Sequence, residues 1–346
     1  MISAVFITLT ACSNTQNGEE NNKTSGEDKA VGSQTTENEE INTTENTADG
    51  NSLVAYFAYS ENIGLMAANG GDLWDYVLFG SGKKQWAPKA SLPIVAITTT
   101  AGTGSETDGG AVITNPETNE KTGIFGTGTM PVLAIIDPEL MTSVPAEFKA
   151  YQGFDALFHS TEGFISNKRN EMSKMVAGEA IRSVSENLVT AISEPENLEA
   201  MGKVAFGSYL SGLQMCVGSC VSAHPLEHAL SAYHESLPHG AGLIMISKAF
   251  YSFFINKHVC DERFIEMAQL MGMKEADKPE DFITALVMLQ EACGVADLKM
   301  SDYGITPEEF PKMAQNAKDT LGVNFLNDFY QLTNEDCVAI YQESYK

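Results

Sequence analysis

Residues 222–240 read SAHPLEHALSAYHESLPHG, and residues 153–163 read GFDALFHSTEG. The chain has 6 histidines in 346 residues. His224, His228, His234 and His239 fall in the first stretch and His159 in the second. In a chain so poor in histidine, that clustering decides the reading. Asp155 and His159 are four apart, which on a helix stacks both side chains on one face. A carboxylate and an imidazole placed this way can share one divalent ion. His224 and His228 repeat the spacing. Pro238 and Gly240 flank His239, a turn that can bend its ring back toward the helix. Asp155, His159, His224 and His239 form the candidate metal set, three imidazoles and one carboxylate suited to Fe(II) or Zn(II). A single histidine is more often a hydrogen-bonded core or surface residue, but two helical pairs and a His-Gly turn rarely arise together. His234 lies between motif positions in a polar stretch and is expected to face solvent.

Outward from these stretches, the pattern is helical on the C-terminal side and strand-like on the N-terminal side. From about Ala150 onward, apolar residues recur at helical spacing over Met172–Ser193, Lys203–Met215, Asp261–Met271 and Pro279–Ala292. Pro307-Glu308-Glu309 opens a further helix, and Thr333-Asn334-Glu335-Asp336 caps the last. Before Ala150, short apolar runs alternate with Gly-rich turns: Pro93–Thr98, Ala111–Thr114 and Pro131–Asp137, the last stopped by Pro138. Hydrophobic residues make up 43% of the chain, enough for a real core. The formal charge of −25 argues against nucleic acid, because phosphate would be repelled. The 6 cysteines are scattered without a CxxC pair, so a disulfide framework is not expected. Buried free thiols are the expectation for Cys216, Cys220, Cys260, Cys293 and Cys337.

The start of the chain has another character. Leu9-Thr10-Ala11-Cys12 follows a short apolar run and resembles a bacterial lipobox, which makes Cys12 a candidate lipid anchor, although no Lys or Arg precedes the run. Residues 13–52 are almost devoid of aliphatic side chains and are expected to form a disordered polar tether. Leu53–Ser60 reads as a buried strand, and with the turn Glu61–Gly64 it looks like the opening of a flavodoxin.

From about Leu65 onward, the sequence resembles the iron-containing alcohol dehydrogenases, in the branch of the butanol dehydrogenases. The resemblance rests on Thr99-Thr100-Ala101-Gly102-Thr103-Gly104-Ser105-Glu106, on Asp137-Pro138-Glu139-Leu140, on Gly153–His159 and on His224–Gly240, in that order. It implies α/β plus all-α architecture: a partial dinucleotide-binding α/β domain followed by an all-helical, dehydroquinate synthase-like metal domain. The expected division is 1–52 for the start and tether, 53–149 for the incomplete cofactor domain and 150–346 for the helical domain. The resemblance maps the metal ligands onto Asp155, His159, His224 and His239. It makes His228 a catalytic proton relay, and it makes Thr99, Thr100, Thr103, Gly104, Ser105 and Lys121 cofactor-contacting residues. It implies Fe2+ or Zn2+, NAD or NADP, a small alcohol such as butanol or its aldehyde, and assembly as a homodimer.

One departure matters. The family carries a Gly-Gly-Gly-Ser turn whose backbone N–H groups meet the pyrophosphate at a helix N-terminus. Here Gly70-Gly71-Asp72 is only a two-glycine turn. The family match thus begins partway through its first domain, as in a chimaera, and weak dinucleotide affinity with poor turnover is expected. The lipobox points to a membrane anchor, whereas the family's cofactor pool is cytoplasmic. The competing readings are a metal-binding remnant without activity and, far behind, a lipid-anchored flavodoxin-like electron carrier. A zinc hydrolase would need a base beside the metal. Glu162 and Glu227 are near in sequence, but no HExxH arrangement exists, and Glu162 reads as a support for the site.

Overall fold

The computed structural model describes residues 62–346. The lipobox-like start, the tether and the flavodoxin-like strand Leu53–Ser60 lie outside the described residues. A helix over residues 62–69 (α1) opens the described part. Its Gly64 carbonyl accepts from the Leu92 N–H, and Leu65 is buried beside Ile124. Four strands follow: β1 (Val95–Thr98), β2 (Gly110–Asn115), β3 (Glu120–Phe125) and β4 (Leu133–Ile136). β1 pairs in parallel with β4, Val95 opposite Leu133, while β2 and β3 form an antiparallel hairpin with Thr114 opposite Lys121. β3 is a strand that the sequence pattern had not singled out. Its Lys and Glu break the apolar run, yet Glu120 is buried and accepts from the Ser81 N–H.

Parallel strands are normally covered on both faces. In the β1–β4 pair, Ala96 and Thr98 are buried, whereas Val95, Ile97, Leu133 and Ile135 are 39, 38, 52 and 41% exposed. This apolar face stands open among the described residues.

The remainder is helical: α2 (Ala146–Ile165), α3 (Glu171–Ser193), α4 (Leu198–Val217), α5 (Ala223–Tyr233), α6 (His239–Asn256), α7 (Asp261–Leu270), α8 (Glu280–Ala292), α9 (Phe310–Phe325) and α10 (Asn334–Ser344). α2 is the central post, with every residue from Phe148 to Ile165 buried. A helix buried on all sides sits inside a bundle, and its polar stripe has to find partners there. Its flank is filled by Phe154, Phe158 and Tyr251, each worth roughly 1.5–3 kcal/mol of burial. Asn170 and Ser173 form a capping box for α3, and Thr333 with Asp336 caps α10 as the sequence predicted. Among the described residues, no helix is long and apolar enough to cross a membrane.

Two expectations are corrected. Only Cys220 and Cys337 are buried thiols; Cys216 is exposed, and Cys260 and Cys293 are partly exposed at helix edges. His234 does not face solvent: its ring is half-buried, with Nδ1 against the Tyr303 carbonyl at 3.1 Å and Nε2 against Glu309 Oε2 at 3.1 Å. The loop after α8 folds back over it, a tertiary arrangement that a polar local sequence cannot reveal.

Candidate metal centre

Asp155, His159 and Glu162 occupy successive turns along one stripe of α2, at i, i+4 and i+7. α5 brings His224 against that stripe. Its N-terminal turn tolerates Pro225, because the first N–H groups of a helix have no intrahelical acceptor anyway. His239 is the first residue of α6, with Pro238 as its N-cap rather than in a bent turn. The side chain next to it has to be absent: a Cβ on Gly240 would lie 2.1 Å from the Tyr151 carbonyl oxygen. That close approach of α6 to α2 is what sets His239 beside Asp155.

Three nitrogens converge on one oxygen. Asp155 Oδ1 stands 3.4 Å from His224 Nε2, 3.5 Å from His239 Nε2 and 3.6 Å from His159 Nδ1. Donors held roughly 2.1 Å from a common tetrahedral ion stand about 3.4 Å apart, and the distances from Asp155 Oδ1 to His224 and His239 are of that size. Donor atoms of Asp155, His224 and His239 all lie within 4.8 Å of one another. His159 is outside that tightest trio but adjoins it, its ring stacked on His224 at 4.1 Å between centroids. All four side chains are buried. His159 Nδ1 is buried without a hydrogen-bond partner, an orphan that a cation would satisfy.

Carboxylates grip the far sides of two rings. Glu162 meets His224 Nδ1 and Glu227 meets His239 Nδ1 in short contacts. A ring held at Nδ1 turns its Nε2 toward Asp155, the usual orientation around a metal. Sequence reasoning anticipated Glu162 but not Glu227. The signal available was Glu227 one helical turn after His224, and it could not show which histidine the carboxylate would reach.

Electrostatics follow from burial against charge. Burial alone would raise the Asp155 carboxyl, but His159, His239 and His224 hold it well below the usual range. Burial and then His224 push His159 down to about 3. Burial would also lower His224, yet Glu162 and Asp155 together carry it up to about 10. His228 is driven well below the ordinary imidazole range by burial, then by Lys121 and His239. It is therefore neutral, with Nδ1 buried and unpartnered and its ring 5.1 Å from that of His239.

The predicted cofactor loop borders this cluster. Thr99, Thr100, Thr103, Gly104 and Ser105 follow the end of β1, and a Cβ on Gly102 would meet Asp155 Oδ2 at 3.1 Å. Gly104 has φ +63° and packs on Gly212 of α4. Thr103 Oγ1 accepts from the Ser105 N–H at 3.2 Å. Thr98, not anticipated from the sequence, has a buried hydroxyl without a partner at the same strand end. Lys121 turns into the helical half, its ammonium 3.0 Å from Ser231 Oγ. A small depression lies over the cluster, walled by Phe148, Tyr151 and Pro238, with Asp155 and His239 also lining it.

Two family models match the chain: "Iron-containing alcohol dehydrogenase" over residues 61–138 and "Fe-containing alcohol dehydrogenase family, C-terminal" over residues 149–345. The chain is 32% identical over 264 residues to 1,3-propanediol dehydrogenase of Klebsiella pneumoniae, covering 74% of this chain and 65% of that one. It is 30% identical over 284 residues to alcohol dehydrogenase 4 of Saccharomyces cerevisiae, covering 82% and 72%. Among solved structures, an archaeal halo-thermophilic alcohol dehydrogenase from a Red Sea brine pool superposes with a TM-score of 0.78 at 25% identity, covering 85% of this chain and 75% of that one. The NADH-dependent butanol dehydrogenase A of Thermotoga maritima gives 0.73 at 25% identity, covering 84% and 74%.

Proposed function

The chain belongs to the iron-containing alcohol dehydrogenase family, and on that premise we propose that it interconverts a short primary alcohol and its aldehyde with a nicotinamide cofactor. The observation that carries this reading is the convergence of His224 Nε2 and His239 Nε2 on Asp155 Oδ1. Asp155, His159, His224 and His239 are the residues that would hold iron, with zinc as the other ion suited to the same donors. When bound, the ion supplies Lewis acidity to the alcohol or carbonyl oxygen, and the nicotinamide supplies or takes the hydride.

The protein's own part is positioning. Glu162 and Glu227 fix two rings, so donor geometry is set before any ion arrives. His228, neutral and adjacent, is the group proposed to relay the alcohol proton. Phe148, Tyr151 and Pro238 supply an apolar wall that excludes water from the reacting end. A primary alcohol such as butanol, or its aldehyde, is the proposed substrate on the strength of the family resemblance. The loop holding Thr99, Thr100, Thr103, Gly104 and Ser105 is the proposed cofactor contact, and its approach to Asp155 supports that role. Lys121 is proposed for the same contact on the strength of the family resemblance. The same reading includes NAD or NADP, a homodimer and the cytoplasm.

We also propose that turnover is slow. The sequence holds no Gly-Gly-Gly-Ser turn of the kind the family uses for the pyrophosphate, Gly70-Gly71-Asp72 being only a two-glycine turn, and among the described residues β1 with β4 presents an open apolar face. A metal-binding chain without turnover shares every proposed ligand and is the second reading. Metal analysis of anaerobically purified protein, combined with NADH and NADPH titrations and butanol oxidation, separates the two. Stoichiometric iron with weak cofactor binding and slow oxidation is the expected result. Protein that takes up neither iron nor zinc refutes both readings.

A further inference from the structure

Lys121 reaches the site from β3, outside the helical half. Its Nζ donates to Ser231 Oγ at 3.0 Å and lies 3.6 Å from Glu227 Oε2 and 3.4 Å from His239 Nδ1. The side chain is 13% exposed, so the ammonium has exchanged most of its water for these partners. His239 Nδ1 is already engaged by Glu227, which approaches it more closely. The ring nitrogen therefore donates to Glu227, and the ammonium's own partners are the Ser231 hydroxyl and the Glu227 carboxylate. The chain of contacts runs Lys121, Glu227, His239 Nδ1, then His239 Nε2 toward Asp155.

We infer that Lys121 is a positioning residue of the metal centre: it pins the Glu227 carboxylate and thereby fixes the orientation of the His239 ring. This rests on the metal-centre reading above. Charge balance supports it. Asp155, Glu162 and Glu227 are three buried carboxylates around the histidines, and a divalent ion with one ammonium supplies three positive charges. Without Lys121, the loaded site would hold an uncompensated buried negative charge, which is costly. Glu227, His228 and His239 also have metal-donor spacing of their own. The ammonium sits against two of those three residues, so it takes the cation position in that group.

The test uses the full chain with Co(II) as probe, read by its visible absorption and by competition with a chelator, alongside NADH titration and metal-free melting temperature. The wild type takes up one equivalent. Lys121→Met lowers Co(II) affinity roughly 10- to 100-fold and alters the visible bands, while Lys121→Arg restores most of the affinity. Glu227→Gln gives the same loss, and the double variant Lys121→Met/Glu227→Gln is no weaker than either single variant. A lysine that merely braced the hairpin would lower the melting temperature and leave the Co(II) spectrum alone. Wild-type Co(II) affinity and spectrum in Lys121→Met, with only NADH binding reduced, overturns the inference and returns the lysine to the cofactor. Should Lys121→Met fail to fold, Ser231→Ala is measured instead, with a smaller loss of Co(II) affinity expected; unchanged affinity overturns the inference equally. A wild-type chain that takes up no Co(II) removes the metal centre itself, a separate failure.

Discussion

Glu162 holds the imidazole of His224 by Nδ1, on the side of the ring opposite Asp155, whose Oδ1 is 3.4 Å from Nε2. The same carboxylate accepts from the Val221 N–H at 3.1 Å through its second oxygen. A buried glutamate thus ties the entry to α5 to the stripe of α2 and sets the tautomer of the ring between them.

Glu162→Gln should therefore weaken metal binding while sparing the fold. The amide preserves volume but no longer attracts the Nδ1 proton with a full charge. The expected loss in affinity is roughly 10- to 100-fold, the usual scale for a partner of a metal-bound histidine. Chelator competition measures it, and affinity equal to wild type would remove Glu162 from the centre.

Metal affinity should rise with pH. Glu162 and Asp155 overcome burial and push His224 up to about 10, so the metal-free protein carries a proton there at neutral pH. That proton stabilises the metal-free fold fully below the unfolded value of 6.5, and the contribution is lost as pH rises through about 10. An incoming ion has to displace it, which makes apparent affinity climb up to about tenfold per pH unit between neutrality and that value. Proton release in weak buffer during Co(II) titration checks this, with about one proton per ion expected at pH 7. No release contradicts the assignment.

Glu106 and Asp108 should make the protein less stable in alkali. Burial pushes each carboxyl up to about 7, above the ordinary values of 4.5 for Glu and 3.8 for Asp. The folded state keeps those protons longer than the unfolded chain does. Stability is therefore fully present below about pH 4 and is lost as pH rises through about 7. Glu106→Gln should gain on the order of 2 kcal/mol over wild type at pH 8 and nothing at pH 4. Urea unfolding at both pH values reads the difference; a gain independent of pH would rule out ionisation as its cause.

Gly212→Ala should loosen the loop of residues 99–105. A Cβ there would stand 2.0 Å from the Gly104 carbonyl oxygen, and Gly104 itself needs its positive φ. The Thr107 hydroxyl also stands 2.2 Å away, but the Gly104 backbone cannot turn aside as a side chain can, so a destabilisation of roughly 1–3 kcal/mol is expected, together with weaker NADH binding. An unchanged urea midpoint would show that α4 and the loop can separate at no cost.

The sequence by itself determined the fold class and named most side chains of the candidate site. Helical spacing located α3, α4, α7 and α8 to within a few residues, because their apolar stripes are dense enough to fix the period. Asp155 with His159 and His224 with His228 announced themselves through i, i+4 spacing, a local relation that any helix makes real. Tertiary structure alone decided which carboxylate serves which ring. Glu227 precedes His228 in sequence yet pairs with His239, because α6 packs back onto α5 and α2 through Gly240. It also decided that His234 is tied to Tyr303 and Glu309 and that Lys121 turns inward from a strand the pattern had not marked. Periodicity reports which face of an element is apolar. It carries no information about what a polar side chain meets after elements distant in sequence have packed, and that meeting is what makes the centre.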